Sequence, residues 1–353
     1  MDTIKILGGG ISGLTSAINL KNAGFDVEVH ERKSYCGKHT NDFQFLENWT
    51  FDEDVLKFLK KINIRADFYF KPIYSIECLS PSFKKYIGSS TKPLMYLVKR
   101  GQTRDSIDKS LENQAKNCKI KILYESKLKV NEADIIAIGF KKPTFIATGI
   151  KFRLKHPDKY IVLLDNNLSS KFYSYFIVND NIGEITCANP IKIKNHQNRL
   201  NLTIKAFEKI LNLKIKEIDG RFSATVNFNS LNKAKINNQY FIGEAAGFQD
   251  CLAGFGMVYA FKSGFLVAKS IIENLDYDLL WKKDFLKQIK ISANNRNIYE
   301  KLSNDHFEKI LDILNSKNSM IRKLIGGNDL QFIMKKLYNN SISFLPSLIF
   351  GDS

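Results

Sequence analysis

The sequence predicts an α/β fold. A Rossmann-type dinucleotide-binding domain is interleaved with a mostly antiparallel sheet and followed by a helical C-terminal region. Three observations predict it. The first stretch, to Glu31, reads as strand, glycine turn, helix and strand. A second glycine-rich motif stands far along the chain, from Gly243 to Gly256. Between the two motifs, short segments separated by turn residues read as a β-meander.

The opening unit starts with the apolar run Ile4 to Leu7, short enough for a strand. Gly8, Gly10 and Gly13 follow at G-x-G-x-x-G spacing, then a helix with Leu14, Ala17, Ile18 and Leu20 on one stripe. Gly24 stops the helix, and a second strand from Asp26 to His30 ends at Glu31. Each part has a task in holding an adenosine diphosphate group. Gly8 makes the tight turn, Gly10 lets the backbone approach a pyrophosphate, and Gly13 lets helix pack on strand. The N–H groups around Ile11 and Ser12 and the helix dipole face the phosphates. Glu31 is placed to accept ribose hydroxyls, with Arg32 beside it. The spacing alone leaves FAD and NAD both open.

Beyond Glu31 comes a polar connection, Cys36 to His39, and then an aromatic segment, Asn41 to Thr50. Its Phe43, Phe45 and Trp49 suit either a loop over a ligand or the core, and spacing favours the core. A short helix is expected over Asp52–Ile62, extended stretches near Phe68–Tyr74 and Ser75–Leu79, and a strand over Leu94–Val98 that runs into Arg100. A helix from about Arg104 carries Ile107, Leu111 and Ala115 at i, i+4, i+8. Strands are expected at Lys119–Tyr124, Ala133–Gly139 and Thr144–Ile150. The meander follows at Tyr160–Leu164, Phe172–Asn179 and Glu184–Ala188, and then a helix near Leu202–Leu211. Tyr240–Ile242 is the strand before the second motif, and a helix runs from about Gly254 to Asn274. Further stripes (Phe307, Ile310, Leu311, Leu314; Leu330, Ile333, Met334, Leu337) predict helices to the end. Because the strands of one sheet are scattered, the expected domains are discontinuous. Residues 1–50, 93–145 and 236–275 are expected to form the dinucleotide-binding domain, 51–92 and 146–235 a second domain, and 276–353 the C-terminal helical region.

Composition narrows the classes. The chain has 353 residues, 44% hydrophobic and 25% charged, which suits a globular protein with a sizeable core. No stretch reaches the roughly 20 apolar residues that span a bilayer. The chain opens directly on the first strand, so no signal peptide is expected. The five cysteines show no C-x-x-C pair, so neither a disulfide framework nor a metal site is expected and a cytoplasmic location fits. The net charge of +17 comes without a recognisable nucleic-acid motif, so no nucleic-acid partner is expected. Peripheral contact with an anionic membrane remains open, because the chain ends on the apolar stretch Ile342–Phe350 in a basic region.

The second motif selects the cofactor. Gly243-Glu244-Ala245-Ala246-Gly247 follows a strand and leads through Cys251 and Gly254-Phe255-Gly256 to Met257. A carboxylate beyond a strand end suits a ribityl hydroxyl, and the glycines let backbone N–H groups reach a flavin. These residues resemble the geranylgeranyl reductase group of FAD-dependent oxidoreductases, within the p-hydroxybenzoate hydroxylase-like flavoprotein fold. The matching positions are Gly243, Ala245, Ala246, Gly247, Gly254, Gly256, Ala260, Ser263 and Gly264, together with the N-terminal fingerprint. Arg100 resembles an arginine that lies near the cofactor in that group. Glu244 stands where the group usually has Asp, and Cys251 where many members have Pro. The group's Trp-x-Phe-Pro element has only Tyr173-Ser-Tyr175-Phe176 as a counterpart. Gly247 replaces the His usual in aromatic hydroxylases and favours the reductase branch.

The resemblance implies FAD as cofactor, with NAD(P)H or another reductant as donor. It implies hydride delivery to a C=C bond of a hydrophobic, isoprenoid- or lipid-like substrate. The pocket wall is expected from Tyr173, Tyr175 and Phe176, with Trp49 and Cys251 as further candidates. Cys36 is a weaker candidate for a thiol near the flavin. No residue is marked as catalytic acid, and His39 is the one histidine near the expected flavin loop. A flavin monooxygenase using NAD(P)H and O2 and a flavin-binding protein without turnover remain as alternatives.

Overall fold

The computed structural model describes residues 3–38, 40–139, 142–316 and 329–339. His39 and the Ile342–Phe350 stretch therefore lie outside the described residues. In chain order the first elements are β1 (Ile4–Leu7), α1 (Ile11–Asn22), β2 (Val27–His30), β3 (Phe43–Glu47), α2 (Val55–Lys61), β4 (Phe70–Ile73), β5 (Ser75–Leu79) and β6 (Lys85–Ser89). Next come β7 (Met95–Lys99), α3 (Ile107–Asn117), β8 (Lys121–Leu123), β9 (Ile135–Ile136), β10 (Phe145–Arg153), β11 (Lys159–Leu163), β12 (Ser174–Asn179) and β13 (Ile182–Pro190). The last are α4 (His196–Leu211), β14 (Ile218–Val226), β15 (Lys235–Ile236), β16 (Gln239–Phe241), α5 (Met257–Ile272), α6 (Tyr277–Tyr299), α7 (Asn304–Asn315) and α8 (Leu330–Asn339).

The chain forms two compact units, each assembled from separated segments. The first takes Met1–Lys71, Met95–Lys142 and Asn227–Lys290; the second takes Pro72–Leu94, Pro143–Val226 and Ile291–Ser353. Several segments fall differently from their expected domains: 51–71, 227–235 and 276–290 join the first unit, and the remainder of the expected C-terminal region joins the second. Residues 51–71 put Val55, Leu59, Ile62 and Phe68 into the core that α1 occupies, and residues 276–290 put Tyr277, Trp281 and Phe285 there. Their apolar faces match the first core, so they belong to it.

In the first unit a six-stranded sheet runs β15-β16-β9-β1-β2-β8. β1 pairs in parallel with β2 and β9, and β9 in parallel with β16. Parallel neighbours place all their carboxyl ends on one side, where ligands of such sheets bind. α1 is buried along nearly its whole length, consistent with a helix held between other elements. β3 and β7 pair antiparallel, Glu47 opposite Met95, in a further sheet of order β3-β7-β4.

The second unit holds a seven-stranded sheet in the order β14-β10-β13-β12-β11-β5-β6. It is antiparallel except where β11 runs parallel to β5. One face packs on α4: Ile150, Phe152, Phe176, Val178 and Ile185 meet Leu200 and Phe207. Strand alternation leaves the intervening residues on the other face.

Candidate functional site

The first glycine turn is set by steric demands that only glycine meets. Gly8 has φ +112°, and a Cβ there would lie 2.6 Å from the Ala137 carbonyl oxygen. A Cβ at Gly13 would overlap the Gly8 carbonyl oxygen. Gly10 differs, because a Cβ there would have no protein atom within 4 Å. Gly10 is also the N-cap of α1, and no side chain caps this helix end. The first-turn N–H groups of Ile11 and Ser12 therefore stand at an open, electropositive position, as an anionic pyrophosphate requires.

Glu31 is buried and already oriented. Its Oε2 accepts the Gly9 N–H at 2.9 Å, and its Oε1 accepts the Lys33 N–H at 3.0 Å. Each oxygen keeps a further lone pair for a hydroxyl. Arg32 beside it is exposed. Cys36 lies at this same end, since a Cβ at Gly9 would touch its Sγ. Burial, followed by the charges of Glu112 and Glu31, pushes the Cys36 thiol up to about 12. It stays a thiol beside the first glycine turn.

The second motif abuts the first. A Cβ at Gly243 would lie 2.7 Å from Ser12 Oγ, and one at Gly264 would overlap the Ser12 carbonyl oxygen. Gly243 N–H donates to Ser263 Oγ at 2.9 Å. Glu244 follows in a 3-10 turn, Gly243–Ala246, its Oε2 within 3.5 Å of a Cβ built at Gly139. Its side chain is open to solvent yet lies deep. Surrounding protein raises its pKa, and the charges of Arg100 and Lys38 pull it back. Thus Gly8, Gly10, Ser12, Glu244 and Arg100 converge at the carboxyl end of the parallel strands.

Arg100 reaches this region by its charge, while its hydrogen bonds go to protein. Nε and NH2 bind Asp108 at 2.8 and 2.9 Å, and NH1 binds Gln44 at 2.9 Å. Asp108 also accepts the Gly101 N–H at 2.8 Å. Gly247 likewise serves the chain itself. It has φ +72°, and a Cβ would overlap the Asn229 carbonyl oxygen. Its glycine is required by this close backbone approach.

The loop before α5 is built on Asp250. This fully buried carboxylate accepts the N–H groups of Leu252 at 3.0 Å and Ala253 at 2.6 Å. Gly254 takes φ +82°, and Gly256 is the N-cap of α5, again without a side-chain cap before Met257. Trp49 is buried and meets Phe255 edge to face at 5.3 Å. Buried Cys251 directs its Sγ to the Phe228 carbonyl at 3.7 Å. Both therefore support the loop from within the protein instead of lining an open pocket.

In the second unit the expected pocket wall divides. Phe176 is fully buried against Phe207, ring centres 5.5 Å apart, on the α4 side. Tyr175 points to the opposite face by strand alternation, half-buried, with Tyr173 6.4 Å away between ring centres. The contiguous motif thus supplies two residues to that face, not three.

Sequence reasoning missed Glu47. It closes β3, is 1% exposed, and neither carboxyl oxygen has a hydrogen-bond partner. Burial raises its pKa well above the ordinary value, and Asp250 adds to the effect. An acidic residue in a polar-looking segment carries no sequence signal of such burial.

A family model described as an NAD(P)-binding Rossmann-like domain matches residues 6–61. An uncharacterised protein of Methanocaldococcus jannaschii is 27% identical over 209 residues, 55% of this chain. The match spans about half, 51%, of that relative's length. A geranylgeranyl bacteriochlorophyll reductase-like protein from Thermoplasma acidophilum superposes with a TM-score of 0.74 at 18% identity, covering 95% of this chain and 99% of that one. This chain shares the fold of that reductase-like protein. The reductase-like fold extends to a 2-methyl-3-hydroxypyridine-5-carboxylic acid oxygenase, with TM-score 0.58 and 17% identity over 85% of this chain and 93% of the other. Among the described residues, no helix is long and apolar enough to cross a membrane.

Proposed function

We propose that the chain is an FAD-dependent reductase, acting on a C=C bond of a hydrophobic, isoprenoid- or lipid-like substrate with NAD(P)H as donor. The observation that carries this reading is the contact of Gly243 and Gly264 with Ser12. It sets two uncapped, glycine-led helix starts in one unit. The residues fit FAD. The open position at Gly10 and the free start of α1 suit the pyrophosphate, Glu31 the ribose, Glu244 the ribityl chain, and the Gly254–Gly256 start of α5 the far end.

When bound, FAD would supply a two-electron carrier able to give up hydride. The protein's share is placement and charge. Glu31 is fixed by two backbone N–H groups before any ligand arrives, so little ordering is needed on binding. Asp250 holds the Leu252–Ala253 turn and thereby the approach to α5. Tyr173 and Tyr175 offer aromatic surface and hydroxyl groups to a hydrophobic substrate.

The test is an absorption spectrum of purified protein, then anaerobic titration with NADH and NADPH and reoxidation by candidate alkenes. The reading requires a yellow protein, reducible and reoxidised by an alkene. A colourless protein that refuses FAD would sink it. A monooxygenase reading rests on the shared fold of the oxygenase; it requires O2 consumption and product oxygen derived from O2. Reduction with no reoxidation by any acceptor would leave a binding protein without turnover.

A further inference from the structure

Glu47 lines a small cavity in the first unit. Its walls come from the Asn48–Phe58 segment, including Thr50 and Phe51, and from Val258 and Lys262 of α5. The cavity is unusual in its polar groups. Both oxygens of Glu47 and the Thr50 hydroxyl, on its wall, are buried with no hydrogen-bond partner in the protein. More than nine in ten buried polar groups are normally satisfied, and ordered water is the usual remedy where protein supplies none.

The charges around Glu47 decide where the proton sits. Asp250 is its nearest acidic neighbour and has two backbone N–H donors that favour its charged form. Glu47 has only its own backbone N–H nearby, which offsets little of the cost of burial. Two neighbouring buried carboxyls do not both ionise, so the proton stays on Glu47. The other groups facing this region leave that outcome unchanged. Tyr259 and Cys251 are buried beside Asp250. Lys262 is paired with Asp284 at 2.5 Å and lies 3.9 Å over the Phe51 ring. Glu53, on the cavity wall, is paired with Lys61 at 2.6 Å.

We propose that Glu47 is the proton store for the Asp250–Met257 loop, refilled from solvent through this cavity. The proposal rests on the reductase reading. Reduction of an alkene adds hydride to one carbon and a proton to the other. The Glu47 O–H bond breaks, its electron pair stays on the carboxylate, and the proton passes through water toward the substrate. A solvent proton entering by the cavity restores the acid. Glu47 is a relay residue here and is not assigned contact with the reacting atoms.

Infrared spectroscopy and redox titration test this. The protein without added FAD should show a protonated-carboxyl C=O band at neutral pH that shifts in D2O and is lost in Glu47→Gln. In the FAD-loaded protein, midpoint potential plotted against pH should break where Glu47 titrates, and Glu47→Gln should remove the break. Thr50→Val keeps the acid but removes a polar wall group, and should slow the D2O shift. Absence of the band, a break unchanged in Glu47→Gln, or a D2O shift indifferent to Thr50→Val would each overturn the proposal. Refusal of FAD is read separately, from the missing visible spectrum. It overturns the reductase reading and this proposal with it.

Discussion

A Cβ placed on Gly264 would overlap the carbonyl oxygen of Ser12, so α5 and α1 pack with backbone against backbone. Gly264→Ala forces that contact apart. It is expected to lower unfolding free energy by about 1–3 kcal/mol, the usual cost of overpacking. Denaturant titration monitored by circular dichroism checks this, and a variant as stable as the parent would contradict the contact.

Gly10 makes the opposite forecast. Its Cβ position is open, and φ is −83°, which alanine adopts without strain. Gly10→Ala should change stability by less than about 1 kcal/mol. It should weaken FAD affinity by roughly tenfold or more, equivalent to about 1.4 kcal/mol, because a methyl group occupies the phosphate approach. Fluorescence quenching of added FAD reads the affinity.

Arg100 separates structural from ligand roles. Removing it strands the buried Asp108 carboxylate, so Arg100→Ala should cost about 3–5 kcal/mol of stability. Thermal unfolding without cofactor should already reveal the loss. A stability effect appearing only with FAD present would place the guanidinium on the cofactor instead.

Glu47 gives stability a pH dependence of known sign. Its folded pKa lies well above the ordinary 4.5, so the folded state retains a proton that the unfolded state gives up. The stabilisation is full below about pH 4.5 and is lost as pH rises toward the folded pKa. Glu47→Gln removes this slope. The difference in unfolding free energy between parent and variant should change by about 1.4 kcal/mol per pH unit in that window. Parallel stability curves would show that Glu47 is ionised in the folded protein.

The two faces of β12 should respond differently. Phe176→Ala empties a site packed by Phe207 and should cost about 3–5 kcal/mol. Tyr175→Phe should stay within about 1 kcal/mol while changing apparent substrate affinity. Denaturation alongside KM measurements separates the two.

These residues also show what can be read in advance. Gly8, Gly13 and Glu31 are legible because their tasks are local: a turn, a helix contact and a strand end within one short stretch. Gly243 to Gly256 is legible for the same reason. β3 is not, because Phe43–Glu47 becomes a strand only by pairing with β7, and such partners leave no local mark. β14, an edge strand, is legible in principle: polar Asp219, Arg221, Ser223 and Thr225 alternate with Phe222, Ala224 and Val226, and only Gly220 interrupts the apolar face. The helix expected over Leu202–Leu211 begins at His196, after Asn195 in the left-handed conformation. The tight fit of Gly247 to Asn229 also depends on a segment outside the motif, which leaves no mark within it.

The partition of the chain has a consequence for synthesis. β1 and α1 leave the ribosome well before β16, Gly243 and Gly264, which belong to the third segment of the same unit, ending at Lys290. The whole second sheet is made while α1 still lacks its α5 contact. Pairings so remote in sequence close slowly, and the early helix spends that time with apolar surface uncovered. A chain truncated before Lys290 should therefore yield a first unit that aggregates, whatever the completeness of its N-terminal glycine turn.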